Sequence, residues 1–316
     1  MQTVRLGRTG VEVSVAGLGC GGHSRLGMAR GASAADAAGI VRLALDLGIT
    51  FIDTARAYGT EEAVGLGVQG RRDQVFISTK AAPTRGGVGR DELISPEELT
   101  ESLELSLRRL QTDRVDLFNL HGVQPAHYQH CAEVLVPELK RQQAAGKIRY
   151  LGLTEQFGRD TRHETLARAV PDGLFDVVMV GFNLLNPSAR RRVFPLTMQH
   201  DVGTLIMFAV RRALSDPAAL REVATKLVES GEVDRGALNP DDPLDFLASH
   251  PDVESVVQAA YRFCRHEPGT NVILTGTGSG EHLRQNVRSI LDPPLPAELC
   301  SRLEAVFGRV ESVSGN

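Results

Sequence analysis

The sequence has no tryptophan, and aromatic residues make up only 5% of its 316 positions. A cleft built around large aromatic walls is therefore not expected, and the balance leans towards polar or sugar-like ligands. Cysteine is scarce too. The four present, Cys20, Cys131, Cys264 and Cys300, lie far apart and form no Cys-x-x-Cys pair. That argues against a zinc knuckle, a disulfide framework or a dithiol redox centre, and no metal site is expected. No stretch reaches the roughly 18 apolar residues of a membrane span. The opening MQTVRLGRTG is polar and lacks the apolar core of a secretory signal, so the expected location is the cytoplasm, with no membrane partner. A large excess of one charge is also missing. A formal net charge of −4 gives no electrostatic case for binding nucleic acid, and Arg190, Arg191 and Arg192 read as one solvated helix face.

What is present is a rhythm. Short apolar, β-branched runs alternate with amphipathic helical stretches, the pattern of βαβ units around a parallel sheet. Strand-like runs fall at residues 15–19, 50–53, 75–79, 115–120, 148–153, 177–182, 204–208 and 272–275. Helical patterns occupy 34–47, 61–68, 96–110, 131–145, 159–169, 187–200 and 280–290, with a last helix at 295–310. The long 217–268 connection reads as a helical excursion over the barrel mouth, because structureless loops of that length are uncommon. The segment TVRLGRTGVEVS reads as a small hairpin turning at residues 7–10. Eight buried strands suit a closed barrel better than a doubly wound sheet, and no Gly-x-Gly-x-x-Gly opens a helix early in the chain. The expectation is an α/β protein: a single-domain (β/α)8 TIM barrel over residues 1–316, with an N-terminal β-hairpin and extra C-terminal helices.

In such a barrel the reactive groups sit at the C-terminal ends of the strands, and polar residues stand there where apolar runs stop. FIDTARAYG supplies Asp53 and Tyr58, VFISTK supplies Lys80, and VDLFNLHG supplies His121. Each alone has an ordinary reading: a helix N-cap, a packing tyrosine, a surface lysine, a core histidine. Together, at three successive strand ends, they make a proton-transfer centre. A phenol with an ordinary pKa near 10 is a weak acid until a cation stabilises its phenolate. Lys80 is the candidate cation and Asp53 the carboxylate that holds it. His121 is the candidate hydrogen-bonding partner for a carbonyl oxygen. The four fit carbonyl reduction, with Tyr58 as general acid/base.

These segments, with GKIRYLGL, LGRTGVEVSVAGLG and ILTGTGSGEHLRQN, closely resemble the signature segments of the aldo-keto reductases, and the resemblance spans nearly the whole chain. It implies a nicotinamide-dependent oxidoreductase in which Asp53, Tyr58, Lys80 and His121 form the catalytic tetrad. It also implies that Gly276, Thr277, Gly278, Ser279 and Asn286 hold the adenosine end of the cofactor. Ser279 at a helix start is an anion site on physical grounds as well.

Four departures stand out. Where the family has Ser-Asn gripping the nicotinamide carboxamide, this chain has Thr154-Glu155, and an ionised glutamate only accepts hydrogen bonds. The sixth-strand glutamine becomes Met179. The seventh strand ends Phe208-Ala209-Val210-Arg211-Arg212, with Phe208 at the nicotinamide-stacking position and Arg211 or Arg212 within reach of the pyrophosphate. The Tyr-Gly-x-Ser-Glu segment is one residue shorter here. For a 2′-phosphate the basic candidates are His282, Arg284 and Arg288, with His282 favoured. NADP is the expected cofactor, with NAD possible. The expected substrate is a small carbonyl compound or sugar-like alcohol, with His23, Arg25, Arg56, Gln124 and Phe208 as candidate lining. Two alternatives stand beside the reductase: a cofactor-binding regulatory or sensor subunit with slow turnover, and a barrel enzyme of unrelated chemistry.

Overall fold

Near-continuous apolar runs become strands buried on both faces. In the computed structural model, which describes residues 1–316, the chain begins with the hairpin β1 (Thr3–Arg5) and β2 (Glu12–Ser14). Eight parallel strands follow: β3 (Ala16–Gly19), β4 (Phe51–Asp53), β5 (Phe76–Ala81), β6 (Val115–Val123), β7 (Ile148–Glu155), β8 (Val177–Gly181), β9 (Gly203–Met207) and β10 (Val272–Thr275). They pair in chain order, and β10 closes the barrel against β3 with Ile273 opposite Ala16. The expected α/β barrel with its hairpin is the observed fold.

Side chains alternate across each strand, which sorts them into two cores. Phe51, Phe76, Leu117, Val177, Met179, Leu205 and Val272 point inward and pack with Leu6 and Val13 of the hairpin. Outward residues such as Ile52, Ile77, Phe118 and Val178 join the helical layer. The hairpin seals the N-terminal end of the barrel. A Cβ on Gly203, at the start of β9, would come within 2.8 Å of the Leu6 side chain, so only a glycine lets the plug seat. The other end is left to the site.

Helix starts follow their capping residues. Ser33 with Asp36, and Ser95 with Glu98, form reciprocal capping boxes at the starts of Ala34–Asp46 and Pro96–Leu110. Two expected helices are broken, and a third is continuous but wound differently at its start. The segment expected at 159–169 is helical only over Glu164–Ala169, because the Asp160 carboxylate caps the amides of Glu164 and Thr165 and His163 takes a left-handed backbone at φ 60°. The segment at 187–200 divides into Ala189–Arg192 and Phe194–Gln199. Pro195 has no N–H to bond the Arg191 carbonyl and sits in the first turn of the second helix. The segment at 131–145 opens with a π turn over Cys131–Leu135 before Val136–Ala144. The 217–268 connection is helical, as expected, over Pro217–Glu229, Asp245–Ala248 and Val256–Arg265. The last of these is an outer-ring helix packed on β10 and on the helix Gly280–Leu291. No helix is long and apolar enough to cross a membrane, and all four cysteines are free.

Candidate active site

Strand parity builds the site in layers. Along the inward faces of β4, β5 and β6, the apolar floor of Phe51, Phe76 and Leu117 is overlain by polar side chains nearer the mouth. Ser78 donates to Asp53 Oδ1 at 2.9 Å, and Asn119 donates to Ser78 Oγ at 3.0 Å. Gly152 on β7 makes room for Asn119, since a Cβ there would lie 2.1 Å from its Oδ1. Above this layer Lys80 Nζ donates to Asp53 Oδ2 at 2.6 Å and to the Thr54 carbonyl at 2.8 Å. Lys80 and Asp53 are both buried. Strands β5 and β6 end two and three residues beyond the sequence expectation, so Lys80 and His121 lie within strands and not in loops.

Tyr58 reaches this group from a 3-10 turn, Arg56–Tyr58, closed by Gly59 at φ 72°. Its ring rests on the backbone of Gly21, where a Cβ would come within 2.7 Å of Cε2. The glycine-rich end of β3 thus leaves room for a phenol ring. Tyr58 Oη lies 3.3 Å from His121 Nε2, with the two rings edge to face. Lys80 Nζ is 4.8 Å from the Tyr58 ring centroid. Its third hydrogen remains for the phenol oxygen.

The charges follow from burial. Burial pushes the Tyr58 phenol up, and the Lys80 ammonium pulls against that. Burial works against the charge on Lys80, but Asp53 and Tyr58 outweigh it and hold the ammonium above an ordinary lysine. Burial likewise raises Asp53 against the pull of Lys80. With Ser78 and Lys80 both donating to its oxygens, the pair stands as carboxylate and ammonium. His121 is pushed down to about 3, by burial first and then by Lys80. It is a neutral imidazole.

The opposite wall, at the ends of β7, β8 and β9, is arranged differently. Thr154 Oγ1 accepts from the Gly122 amide at 2.7 Å and braces the strand end that carries His121. Glu155 faces out of the barrel, where both carboxylate oxygens lie 2.9 Å from His163 Nδ1 and Oε1 accepts from the Gly181 amide at 2.8 Å. Met179 belongs to the inward apolar cluster. Phe208 directly follows β9, with a left-handed backbone at φ 70°. The Arg211 guanidinium stacks 4.0 Å from the centre of the Phe208 ring, and Arg211 Nε donates to Asn316 Oδ1 at 2.8 Å. Arg212 is exposed and faces Asp216.

Beyond β10, Ser279 caps the helix Gly280–Leu291 by accepting from the His282 amide at 3.3 Å, and Thr277 accepts from the Ser279 amide at 3.1 Å. Gly276 and Gly278 are pressed against the backbone of Gly19 and Gly27, each with 2.5 Å where a Cβ would stand. Asn286 is half-buried, and its amide nitrogen donates to Thr275 Oγ1 at 2.9 Å, as a brace for the end of β10. His282 is exposed, Arg284 folds back on the Gly280 carbonyl, and Arg288 is tied to Glu254. Of the substrate-lining candidates, Arg56 turns away from the mouth to Ser102 at 2.7 Å. Gln124 keeps a buried amide nitrogen without a partner.

Sequence reasoning missed two features. One is His163, which engages Glu155. The other is residues 313–316, whose carbonyls accept from Asn183, Asn186 and Ala213 at the ends of β8 and β9. The only signal was the pair of asparagines in FNLLNPS.

The chain matches the profile of the aldo/keto reductase family over residues 18–307. It is similar to aldo-keto reductase YhdN of Bacillus subtilis, with 30% identity over 301 residues covering 87% of this chain and 85% of that protein. It is also similar to L-galactose dehydrogenase of Arabidopsis thaliana, with 26% identity covering 98% and 95% of the two chains. Among solved structures, the holo form of an aldo-keto reductase from Bacillus halodurans superposes with a TM-score of 0.72 at 24% identity, covering 99% of this chain and 97% of that one. An aldo/keto reductase from Klebsiella pneumoniae, solved with NADP and acetate, gives 0.66 at 23% identity, covering 98% and 96%. With the profile matched over most of its length, the chain belongs to the aldo/keto reductase family, and with it to the nicotinamide-dependent oxidoreductases.

Proposed function

We propose that the protein transfers hydride between NADP and an aldehyde or ketone, or in reverse oxidises a sugar-like alcohol, with Tyr58 as general acid/base. The carrying observation is the placement of the Tyr58 hydroxyl against His121 Nε2 and beside an ammonium that Asp53 tethers. The relatives support the class: one is named a dehydrogenase of a sugar, and another was solved with NADP.

The residues fit a dinucleotide. Gly276 and Gly278 lie where no side chain fits, and the helix beginning at Gly280 presents its first amides beside Ser279. We assign the adenosine end to Gly276, Thr277, Ser279 and His282, with Arg284 as the nearer arginine for a 2′-phosphate. We assign the nicotinamide to the side of Phe208 and Thr154, and Arg211 to the pyrophosphate once it leaves the Phe208 ring. NAD remains the second candidate cofactor.

When bound, the cofactor supplies or accepts the hydride. The rest belongs to the chain. Tyr58 gives its hydroxyl proton to the carbonyl oxygen as negative charge develops there. The Lys80 ammonium then faces the phenolate, and Asp53 keeps that ammonium charged and in place. His121 orients the oxygen through Nε2, without a proton of its own to spare.

The test is turnover of a panel of aldehydes and sugars, read by nicotinamide absorbance. Tyr58→Phe is expected to lower kcat by about 10²–10⁴ while binding NADP as the wild type does. Equal turnover by the two would remove Tyr58 from the acid's role. The altered nicotinamide wall favours one second reading, a cofactor-binding regulatory subunit; tight NADP binding with no turnover of any carbonyl would select it.

A further inference from the structure

The Glu155–His163 pair lies outside the tetrad and is buried on both sides, with 0% side-chain exposure for each member. Its hydrogen count can be read from its neighbours. Asn186 donates through Nδ2 to the carbonyls of Thr161 at 3.2 Å and Val313 at 2.8 Å, which turns its Oδ1 towards Ser188. The single hydroxyl hydrogen of Ser188 goes to that oxygen at 2.6 Å. His163 Nε2, 3.1 Å from Ser188 Oγ, must therefore donate. On the other side of the ring a second hydrogen is shared between Nδ1 and the Glu155 carboxylate. Wherever that shared hydrogen sits, histidine and glutamate together carry no net charge. The order Glu155–His163–Ser188 mimics a hydrolytic triad, but Ser188 is fully buried and has given its hydrogen to Asn186, so it is no nucleophile.

The surroundings add no second cation to this pair. Asp160 is spent on the amides of Glu164 and Thr165, Arg162 and Glu164 point outward, and Arg190 is held by Glu267. His163 also stacks on Phe157 with centroids 5.2 Å apart, and Phe157 meets Phe208 edge-on at 5.8 Å. The pair thus stands behind the wall to which the nicotinamide has been assigned, and the inference rests on that assignment.

We propose that His163 is a charge-balancing residue. It cancels the Glu155 carboxylate at the nicotinamide wall, so that the site does not favour the positively charged oxidised ring over the neutral reduced one. Even at about 10 Å, with an effective dielectric constant of about 20, an unbalanced carboxylate would bias the two forms by about tenfold.

The test is the ratio of dissociation constants for NADP+ and NADPH, measured by titration without substrate across neutral to alkaline pH. In His163→Leu the glutamate loses its partner, burial raises its pKa, and it ionises as pH rises. NADP+ is then expected to tighten relative to NADPH by about tenfold at the alkaline end, a drift absent from wild type. The double variant Glu155→Gln/His163→Leu should return to the wild-type ratio, which a loss of packing alone would not do. A single variant that tracks wild type at every pH overturns the proposal. Should His163→Leu not fold, Glu155→Gln decides: a balanced pair leaves the ratio within about twofold, whereas a tenfold loosening of NADP+ shows an unbalanced charge in the wild type. Wild type that binds neither dinucleotide is a different failure, that of the cofactor reading itself.

Discussion

The two walls of the barrel mouth solve the problem of buried polarity in opposite ways. On the β4–β6 side, Asp53, Lys80 and His121 point inward, and the hydrogen bonds of the Lys80 ammonium leave one hydrogen for the Tyr58 oxygen. On the β7–β9 side, Glu155 turns out of the barrel and spends its acceptors on His163 and Gly181, while Met179 contributes no polar atom. The first wall keeps hydrogen-bonding capacity in reserve for a ligand, whereas the second is largely satisfied by the chain itself. Three of the four departures from the family's sequence fall on the second wall, and the structure shows how one of them is accommodated. A glutamate replacing an asparagine there requires a partner, and His163, strained into a left-handed backbone, supplies it.

Removing the cation from the first wall should have the largest effect. Lys80→Met leaves Asp53 buried without its ion partner, and breaking a buried pair costs about 3–5 kcal/mol. Turnover is expected to fall by about 10²–10⁴, since the phenolate loses its stabilising charge. The stability loss should depend on pH in a set direction. Burial alone raises the Asp53 carboxyl above its unfolded value, so the variant keeps most of its stability in acid, where the carboxyl is protonated, and loses it as pH rises. Thermal melts on both sides of neutrality check this. A melting loss that is the same at both pH values would mean that the Asp53 carboxyl of the folded variant is already ionised at the lower of them, so that losing Lys80 has not raised it.

Next in size is a change that touches no polar group. Gly21→Ala would place a methyl 2.7 Å from the Tyr58 ring, which His121 and Lys80 hem in from the other sides. The ring must tilt, and a displacement near 1 Å at a reacting atom can lower the rate about a hundredfold. The expected result is a kcat loss of about tenfold to a hundredfold with little change in melting temperature or NADP affinity. Unchanged kcat would show that the phenol position is not set by its rest on Gly21.

Much of the first wall was legible in the sequence because strand parity and strand-end placement are local rules. FIDTARAYG, VFISTK and VDLFNLHG each show an apolar run ending in a polar residue, and a period of two places Asp53, Lys80 and His121 inward. The number of strands, the hairpin and the closure of the barrel followed from the same rhythm. The second wall was legible only as a set of departures. Nothing local in GLTEQFGRDTRHE ties Glu155 to a histidine eight positions on, because that contact depends on an irregular turn capped by Asp160. Asn286 reads as a ligand-facing amide, and the sequence gives no sign that one of its hydrogens is taken by Thr275. The bonds from residues 313–316 to the ends of β8 and β9 span more than a hundred positions, and no periodicity reports them.

The smallest effect expected is also the sharpest comparison of the walls, for it asks whether the second wall can be given back a free polar group. Met179→Gln keeps the length of the side chain and adds an amide to the inward cluster of Val177, Leu205 and Val272. In the protein without cofactor that amide has few partners, and an unsatisfied buried polar group costs about 1–3 kcal/mol, so the melting temperature should drop. If the nicotinamide carboxamide is presented at this strand end, the amide gains a partner on binding. The variant should then recover part of the loss when NADP is added, and its NADP affinity should rise a few-fold, about 1 kcal/mol for one hydrogen bond. Melts with and without NADP separate the two contributions. A variant destabilised equally in both conditions, with unchanged affinity, would place the carboxamide away from β8 and leave Thr154 as the hydroxyl that meets it.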